Sequence, residues 1–432
     1  MVKNVALAGP ALLIAGCASG QGKTTVTAAL ARYHTRLGRR VRVFKTGPDF
    51  IDPTILEAAS GASVYNIDCW MVGTEHSRAL LATAAREADL ILVEGAMGLH
   101  DGEPSAADLA VTFDLPVAAV IDAGSMAQTF GALAKGLKEY RSVPFAGVIA
   151  NRVAGARHAS VLAASLPPDI ALLGVLPKAT RSLPERHLGL VLADELAGLT
   201  AMLDALADLV GESGYTALPP AVLFTPCDAP AVPRLLVGRR IAVARDAAFS
   251  FLYRANIDCL MAMGAELAFF SPVADDAVPA ADALYLPGGY PELHAAQLAC
   301  NRRWLESIHA FAAAGKPLLA ECGGMMVLLD TLTTREGTAH AMAGLLSGNV
   351  TLRERLVALG LQSVILPQGE LRGHTFHYSQ LDTPLEPRWR CTSRQGGVGE
   401  CVFRHGAITA SYLHSYFPSN PAAAAALLTE TA

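Results

Sequence analysis

The stretch Leu12-Leu13-Ile14-Ala15-Gly16-Cys17-Ala18-Ser19-Gly20-Gln21-Gly22-Lys23-Thr24-Thr25 decides the fold of the front half. Its first four residues are an apolar run read as a buried parallel strand, small residues make a loop, and Lys23-Thr24-Thr25 opens an alanine-rich helical segment. A nucleotide phosphate needs this order. Backbone N–H groups of Ser19, Gly20, Gly22 and Thr25 can wrap it, Lys23 can reach the β and γ oxygens, Thr24 can ligate Mg²⁺, and the helix N-terminus adds its dipole. The register departs slightly from the strict phosphate-loop pattern. Counted back from Gly22-Lys23-Thr24, the first glycine position holds Cys17, with Gly16 one residue earlier.

Met1–Cys17 also carries an early Lys3 and ends in Ile14-Ala15-Gly16-Cys17, the outline of a lipoprotein signal. Cleavage there would delete the strand that carries the phosphate loop, so the expected location is the cytoplasm.

With 432 residues the chain has room for two or three domains. It is 52% hydrophobic, yet it lacks the uninterrupted run of about 18 apolar residues that a membrane span needs. A formal charge of −5 with mixed signs excludes a general nucleic-acid binder. The eight cysteines show no CxxC or CxxH spacing, so neither a disulfide framework nor a zinc site is expected.

Apolar runs at 12–15, 41–45, 90–94, 117–122, 145–150 and 171–175 alternate with helical patterns through residues 1–190. Such alternation implies βαβ units around a parallel sheet, with ligands at the carboxyl ends of the strands. Acids cluster there. Lys45, Asp49 and Asp52 share the loop after the second run, and Glu94 ends the third, followed by Asp101. Lys45 is expected to contact the nucleotide, and Asp49, Asp52 and Glu94 are candidate Mg²⁺ ligands, with helix caps and turns as the plain alternative. Asn151, at the end of another run, could read an adenine edge or simply close a turn. Arg181, Arg186 and His187 form a basic loop suited to an anionic substrate or to the other domain.

A helix over 194–210 and the proline-bearing segment 219–233 mark 191–238 as a linker, and Arg239-Arg240-Ile241-Ala242-Val243-Ala244 starts a second α/β domain, 239–432. There Pro317-Leu318-Leu319-Ala320-Glu321-Cys322-Gly323-Gly324-Met325 reads strand, cysteine, helix. A nucleophile on such a turn protrudes from the sheet, and the helix N-terminus favours its thiolate. Backbone N–H groups of Gly323 and of the Gly289–Tyr290 turn could hold an oxyanion. The base would be His414, with His374 and His377 as competitors.

Taken together, SGQGKTT, KTGPDFIDP, VEGAMGLHDG, LPERHLGL, LYLPGGYPELHA, AECGGM, RGHTFHYS and SYLHSYF resemble the cobyrinic acid a,c-diamide synthase family over almost the whole chain. Their order and spacing, more than any single motif, carry the resemblance. It implies a dethiobiotin-synthetase-like ATP domain fused to a class I, triad-type glutamine amidotransferase domain, both α/β. By that resemblance Cys322 is the nucleophile and His414 its base. Family members often have a second histidine where this chain has Tyr416, and other triad amidotransferases have a glutamate there, so Tyr416 or a residue elsewhere is left to orient His414. The implied activity is ATP- and glutamine-dependent amidation of the c and then the a acetate of cobyrinic or hydrogenobyrinic acid, a carbon–nitrogen ligase of cobalamin biosynthesis. The implied partners are ATP with Mg²⁺, glutamine and the corrinoid acid, without nucleic acid or membrane; a homodimer is open. Rival readings are cobyric acid synthase, a nickel-sirohydrochlorin a,c-diamide synthase and, from another class, a MinD-like ATPase switch.

Overall fold

A computed structural model of the chain describes residues 6–178, 183, 185–186 and 189–430. They form two compact units, Met1–Pro230 and Ala231–Ala432. The basic loop of Arg181 and His187 lies outside the described residues, as does the side chain of Arg186.

The first unit is a sheet of β1 (Leu7–Gly16), β2 (Val41–Thr46), β3 (Tyr65–Ile67), β4 (Leu90–Glu94), β5 (Val117–Asp122), β6 (Phe145–Val153) and β7 (Leu172–Pro177). Their order is β3-β2-β4-β1-β5-β6-β7, and every one of these pairs is parallel. β1 lies where the strand order reverses, the place where doubly wound sheets open a crevice for ligands. Both faces of β1 are covered. Leu13 and Ala15 belong to the core on one side, while Leu12 and Ile14 belong to the core on the other. This period of two explains why a continuous apolar run makes a central strand.

The segment expected as a linker belongs mostly to the first unit. Just before that segment β8 (Glu185–Arg186) and β9 (Gly189–Leu190) pair antiparallel, and within it β10 (Ala221–Phe224) pairs antiparallel with the start of β1, Leu7 opposite Phe224. Between them the helix Leu199–Glu212 buries Leu199, Leu203, Leu206 and Val210, an i, i+3/i+4 stripe that joins the core under α1 (Lys23–Arg36). Arg32 pairs with Asp204 at 2.7 Å and Arg36 with Asp208 at 2.8 Å. Apolar burial, not the exposed ion pairs, holds this helix in place.

The second unit starts as a parallel sheet of β11 (Arg240–Ala244), β12 (Glu266–Phe270), β13 (Ala283–Leu286) and β14 (Leu318–Glu321), in the order β12-β11-β13-β14, joined on the β14 side by Ile408–Ser411. Antiparallel strands Val398–His405, Pro387–Ser393, Ala358–Leu366 and Gly369–His377 extend it, and His414–Ser415 pairs back onto Gly369–His377. The turns after β13 and β14 and the short strand at His414 thereby converge. Among the described residues no helix is long and apolar enough to cross a membrane.

Candidate active sites

In the first unit the loop from β1 to α1 uses left-handed backbone at Gly20 (φ 78°) and Gly22 (φ 90°), a region that glycine enters without the penalty a Cβ brings. At Gly22 space is equally decisive, since a Cβ there would stand 2.3 Å from Nδ2 of Asn151. Nδ2 of Asn151 donates to the Gln21 carbonyl at 3.0 Å, and its Oδ1 accepts from Arg152 N at 2.9 Å. The side chain of Asn151, weighed as an adenine reader, thus bonds the loop backbone at Gln21. Gln21 works from the other side, its Oε1 accepting from Asp122 N at 2.9 Å. Lys23 folds back and donates to the Ala18 carbonyl at 2.9 Å; burial and the charge of Lys45 lower its pKa.

The acids of this unit meet on one cation. Nζ of Lys45 lies 3.0 Å from Glu94 Oε1 and 3.3 Å from Asp49 Oδ2, and also bonds Asp52 Oδ2. Lys45, expected to contact the nucleotide, is here the counter-ion of three carboxylates. Burial pushes the Glu94 carboxyl up to about 7, and burial together with Asp52 pushes Asp49 up to about 6. Asp52 is buried too, but the Lys45 ammonium outweighs that and holds it below the usual range. Oδ1 of Asp49 accepts from Ile51 N and Asp52 N at 2.9 and 3.1 Å, so Asp49 closes the turn into α2 (Asp52–Ser60), the plain alternative for this residue.

Thr24, Asp52 and Glu94 form a tighter set. Thr24 Oγ1 is 2.6 Å from Glu94 Oε1 and 3.2 Å from Asp52 Oδ2, and Glu94 Oε2 is buried with no hydrogen-bond partner among the described residues. Hard oxygen donors, surplus negative charge and an unsatisfied buried oxygen fit a divalent cation. Among the described residues no group of three or more His, Cys, Asp or Glu could hold a metal unaided. A site completed by phosphate oxygens and water, as Mg²⁺ favours, needs no such group.

In the second unit Cys322 follows β14 directly, at φ 47°, ψ −108°, and opens the four-residue helix Gly323–Met326. This left-handed bend costs a non-glycine residue strain, which structures retain where it aims a side chain. Cys322 N donates to the Ser411 carbonyl at 2.7 Å, tying the bend to the neighbouring strand. Gly288, after β13, fits between two groups: a Cβ on it would stand 2.3 Å from Cε1 of His414 and 3.3 Å from Cβ of Cys322. His414 therefore lies against the same point as the cysteine. Its competitors sit elsewhere in the network. His377 bonds Glu400 at 3.0 Å and the Ser379 carbonyl at 2.8 Å and stacks on Tyr412, while Nδ1 of His374 meets the Tyr253 hydroxyl at 2.9 Å. Tyr416 packs edge-on against Tyr253.

The expected oxyanion donors are close together, since a Cβ on Gly323 would stand 3.0 Å from Gly289 N. Tyr290 meets Phe251 edge to face at 4.8 Å, which walls this turn. The electrostatics differ from expectation. Burial, then Glu292, raises the Cys322 thiol pKa, and the Gly323 N–H only partly offsets this, so the short helix does not favour a resting thiolate. Burial, first among the causes, holds His414 well below its ordinary value. Both shifts act against a resting thiolate–imidazolium pair.

Residues 12–191 match the CobQ/CobB/MinD/ParA nucleotide binding domain and residues 240–422 the CobB/CobQ-like glutamine amidotransferase domain. The chain is 60% identical to the hydrogenobyrinate a,c-diamide synthase of Stutzerimonas stutzeri, over 97% of this chain and 98% of that one. It is 60% identical to the synthase of the same name from Pseudomonas aeruginosa, with 97% of each covered, and 53% identical to the cobyrinate a,c-diamide synthase of Herminiimonas arsenicoxydans, with 96% and 95% covered.

The chain belongs to the a,c-diamide synthase family.

As a family member it is a glutamine-dependent carbon–nitrogen ligase with a nucleotide-binding unit. Sequence reasoning about this family member missed Gly288 and Gln21. Both lie inside motifs already singled out, one residue from a glycine that was named. It also missed Glu321, whose Oε1 accepts from Ser415 N at 3.0 Å and Oε2 from the Tyr285 hydroxyl at 2.7 Å, tying the residue before Cys322 to the residue after His414.

Proposed function

We propose that this chain amidates the a and c acetate carboxylates of hydrogenobyrinate, the macrocycle named for two relatives at 60% identity, using ATP and glutamine. The observation that carries the glutamine half is the fit of Gly288 between Cys322 and His414. His414 takes the Cys322 proton as the sulfur attacks the amide carbon of glutamine. The oxyanion faces the N–H groups of Gly323 and Gly289, the C–N bond breaks, and ammonia leaves with the proton returned by His414. Water then hydrolyses the thioester to glutamate and frees the thiol.

In the first unit a substrate carboxylate oxygen attacks the γ-phosphorus of ATP, and ADP leaves. Ammonia displaces phosphate from the acyl phosphate and gives the amide. The backbone of residues 19–25 cradles the phosphates, and Lys23, released from Ala18, neutralises their charge. Thr24, Asp52 and Glu94 would hold Mg²⁺, which when bound neutralises charge on the β and γ oxygens. Lys45 keeps the acids together and balances them until then.

The test is an amidation assay with ATP and glutamine that offers hydrogenobyrinate, cobyrinate and nickel-sirohydrochlorin separately. One ADP and one glutamate per amide, with hydrogenobyrinate turned over fastest, is expected. Preference for either metallated macrocycle would overturn the substrate assignment.

A further inference from the structure

The pairing that brings His414 to Gly288 also lays a second imidazole on it. His374 and His414 face each other across the antiparallel pair, with ring centroids 4.9 Å apart and planes 18° from parallel. The approach is tight: a Cβ on Gly373 would stand 2.1 Å from the His414 carbonyl oxygen, so only glycine lets the strands come this close. His374 and Tyr253 are both buried, and the Tyr253 hydroxyl is 2.9 Å from Nδ1 of His374, a hydrogen bond in either tautomer. Tyr253 is itself fixed edge to face on Tyr416, centroids 5.5 Å apart at 78°.

Resting on the reading of His414 as the base, we infer that His374, pinned by the Tyr253 hydroxyl, is the positioning residue that turns the His414 ring toward Cys322. The torsion that rotates an imidazole about Cβ–Cγ is soft, and a base must keep one nitrogen within hydrogen-bond reach of its nucleophile. A parallel ring blocks that rotation, because turning His414 would drive its edge into the plane of His374. The hydroxyl of Tyr253 in turn stops His374 from rotating with it. Charge works in the same direction. Burial pushes His374 down to about 3, so it stays neutral, and the imidazolium formed when His414 takes the thiol proton faces a neutral ring and not a second cation.

The experiment is steady-state glutaminase kinetics on the full chain, with ammonia-supported amidation as the parallel readout. Tyr253→Phe keeps the ring and removes the hydroxyl. It is expected to lower glutaminase kcat at least about tenfold, with KM for glutamine and the ammonia-supported rate unchanged. His374→Phe should do the same, and the double variant should be no worse than His374→Phe alone, because the hydroxyl acts only through the imidazole. An unchanged kcat in Tyr253→Phe, or losses that multiply in the double variant, overturns the inference. Should His374→Phe not fold, Tyr253→Phe decides alone, read at an unchanged thermal midpoint. His414→Ala separates this from the underlying reading: glutaminase retained in that variant would remove His414 as base, whatever the stack does.

Discussion

Nζ of Lys45 lies 3.0 Å from Oε1 of Glu94, a carboxylate with no exposed surface, and removing the lysine strands that buried acid without its cation. Lys45→Met is expected to destabilise the first unit by about 3 kcal/mol or more at pH 8, the cost of an unpaired buried charge. The loss should shrink toward pH 6. Glu94 and Asp49, held up to about 7 and about 6, take up protons over that range and cease to need a counter-ion. Urea unfolding at the two pH values measures this; an equal loss at both would contradict it.

Glu94→Gln keeps the volume and the hydrogen bond to Thr24 but removes a negative charge from the set suited to Mg²⁺. ATP turnover should fall at least about tenfold while glutamine hydrolysis persists. Unchanged ADP release would remove Glu94 from the cation site.

Cys322→Ala should abolish glutamine use and leave amidation from free ammonia intact. Loss of both activities, in a chain with an unaltered melting transition, would sink the assignment of separate chemistries to the two units.

Gly288→Ala puts a methyl group 2.3 Å from Cε1 of His414. The imidazole must move, and glutaminase kcat should drop about a hundredfold, the range for misplacing a catalytic group by about an ångström. A crystal structure of the variant with an unmoved His414, or wild-type hydrolysis, would refute the tight fit.

Glutamine hydrolysis should also survive acidification well. His414 must be neutral to accept a proton, and burial holds its pKa well below its ordinary value, so the neutral form persists into more acidic solution. The acid limb of kcat/KM for glutamine should therefore fall below about 6.5, the ordinary imidazole value. A limb above that value would contradict the electrostatics of the buried pair.

Much of this was legible because it is local. The strands at Leu90–Glu94 and Val117–Asp122 run over the bounds that the apolar runs predict, and the glycines around Lys23 and Cys322 mark the turns that hold those residues. Pairing across distance was not legible. Nothing near residue 221 says that Ala221–Phe224 closes on Leu7–Pro10, so a segment with prolines on either side reads as a linker. The contact of His374 with His414 depends on where an antiparallel strand returns, and Lys45 became a counter-ion only when β2 and β4 brought Glu94 beside it. Burial also reversed the expected thiolate at Cys322, an effect of depth that spacing does not encode.

Because alternate residues of β1 serve opposite cores, the strand tolerates no slip in phase. Deleting Ala15 would present Leu12 and Ile14 to the space shaped for Leu13 and Ala15, and Leu13 to the space shaped for Ile14. Both hydrophobic layers would register the error at once, and the phosphate loop would be dragged one residue out of line, so such a lesion should be lost at folding before any chemistry could be assayed.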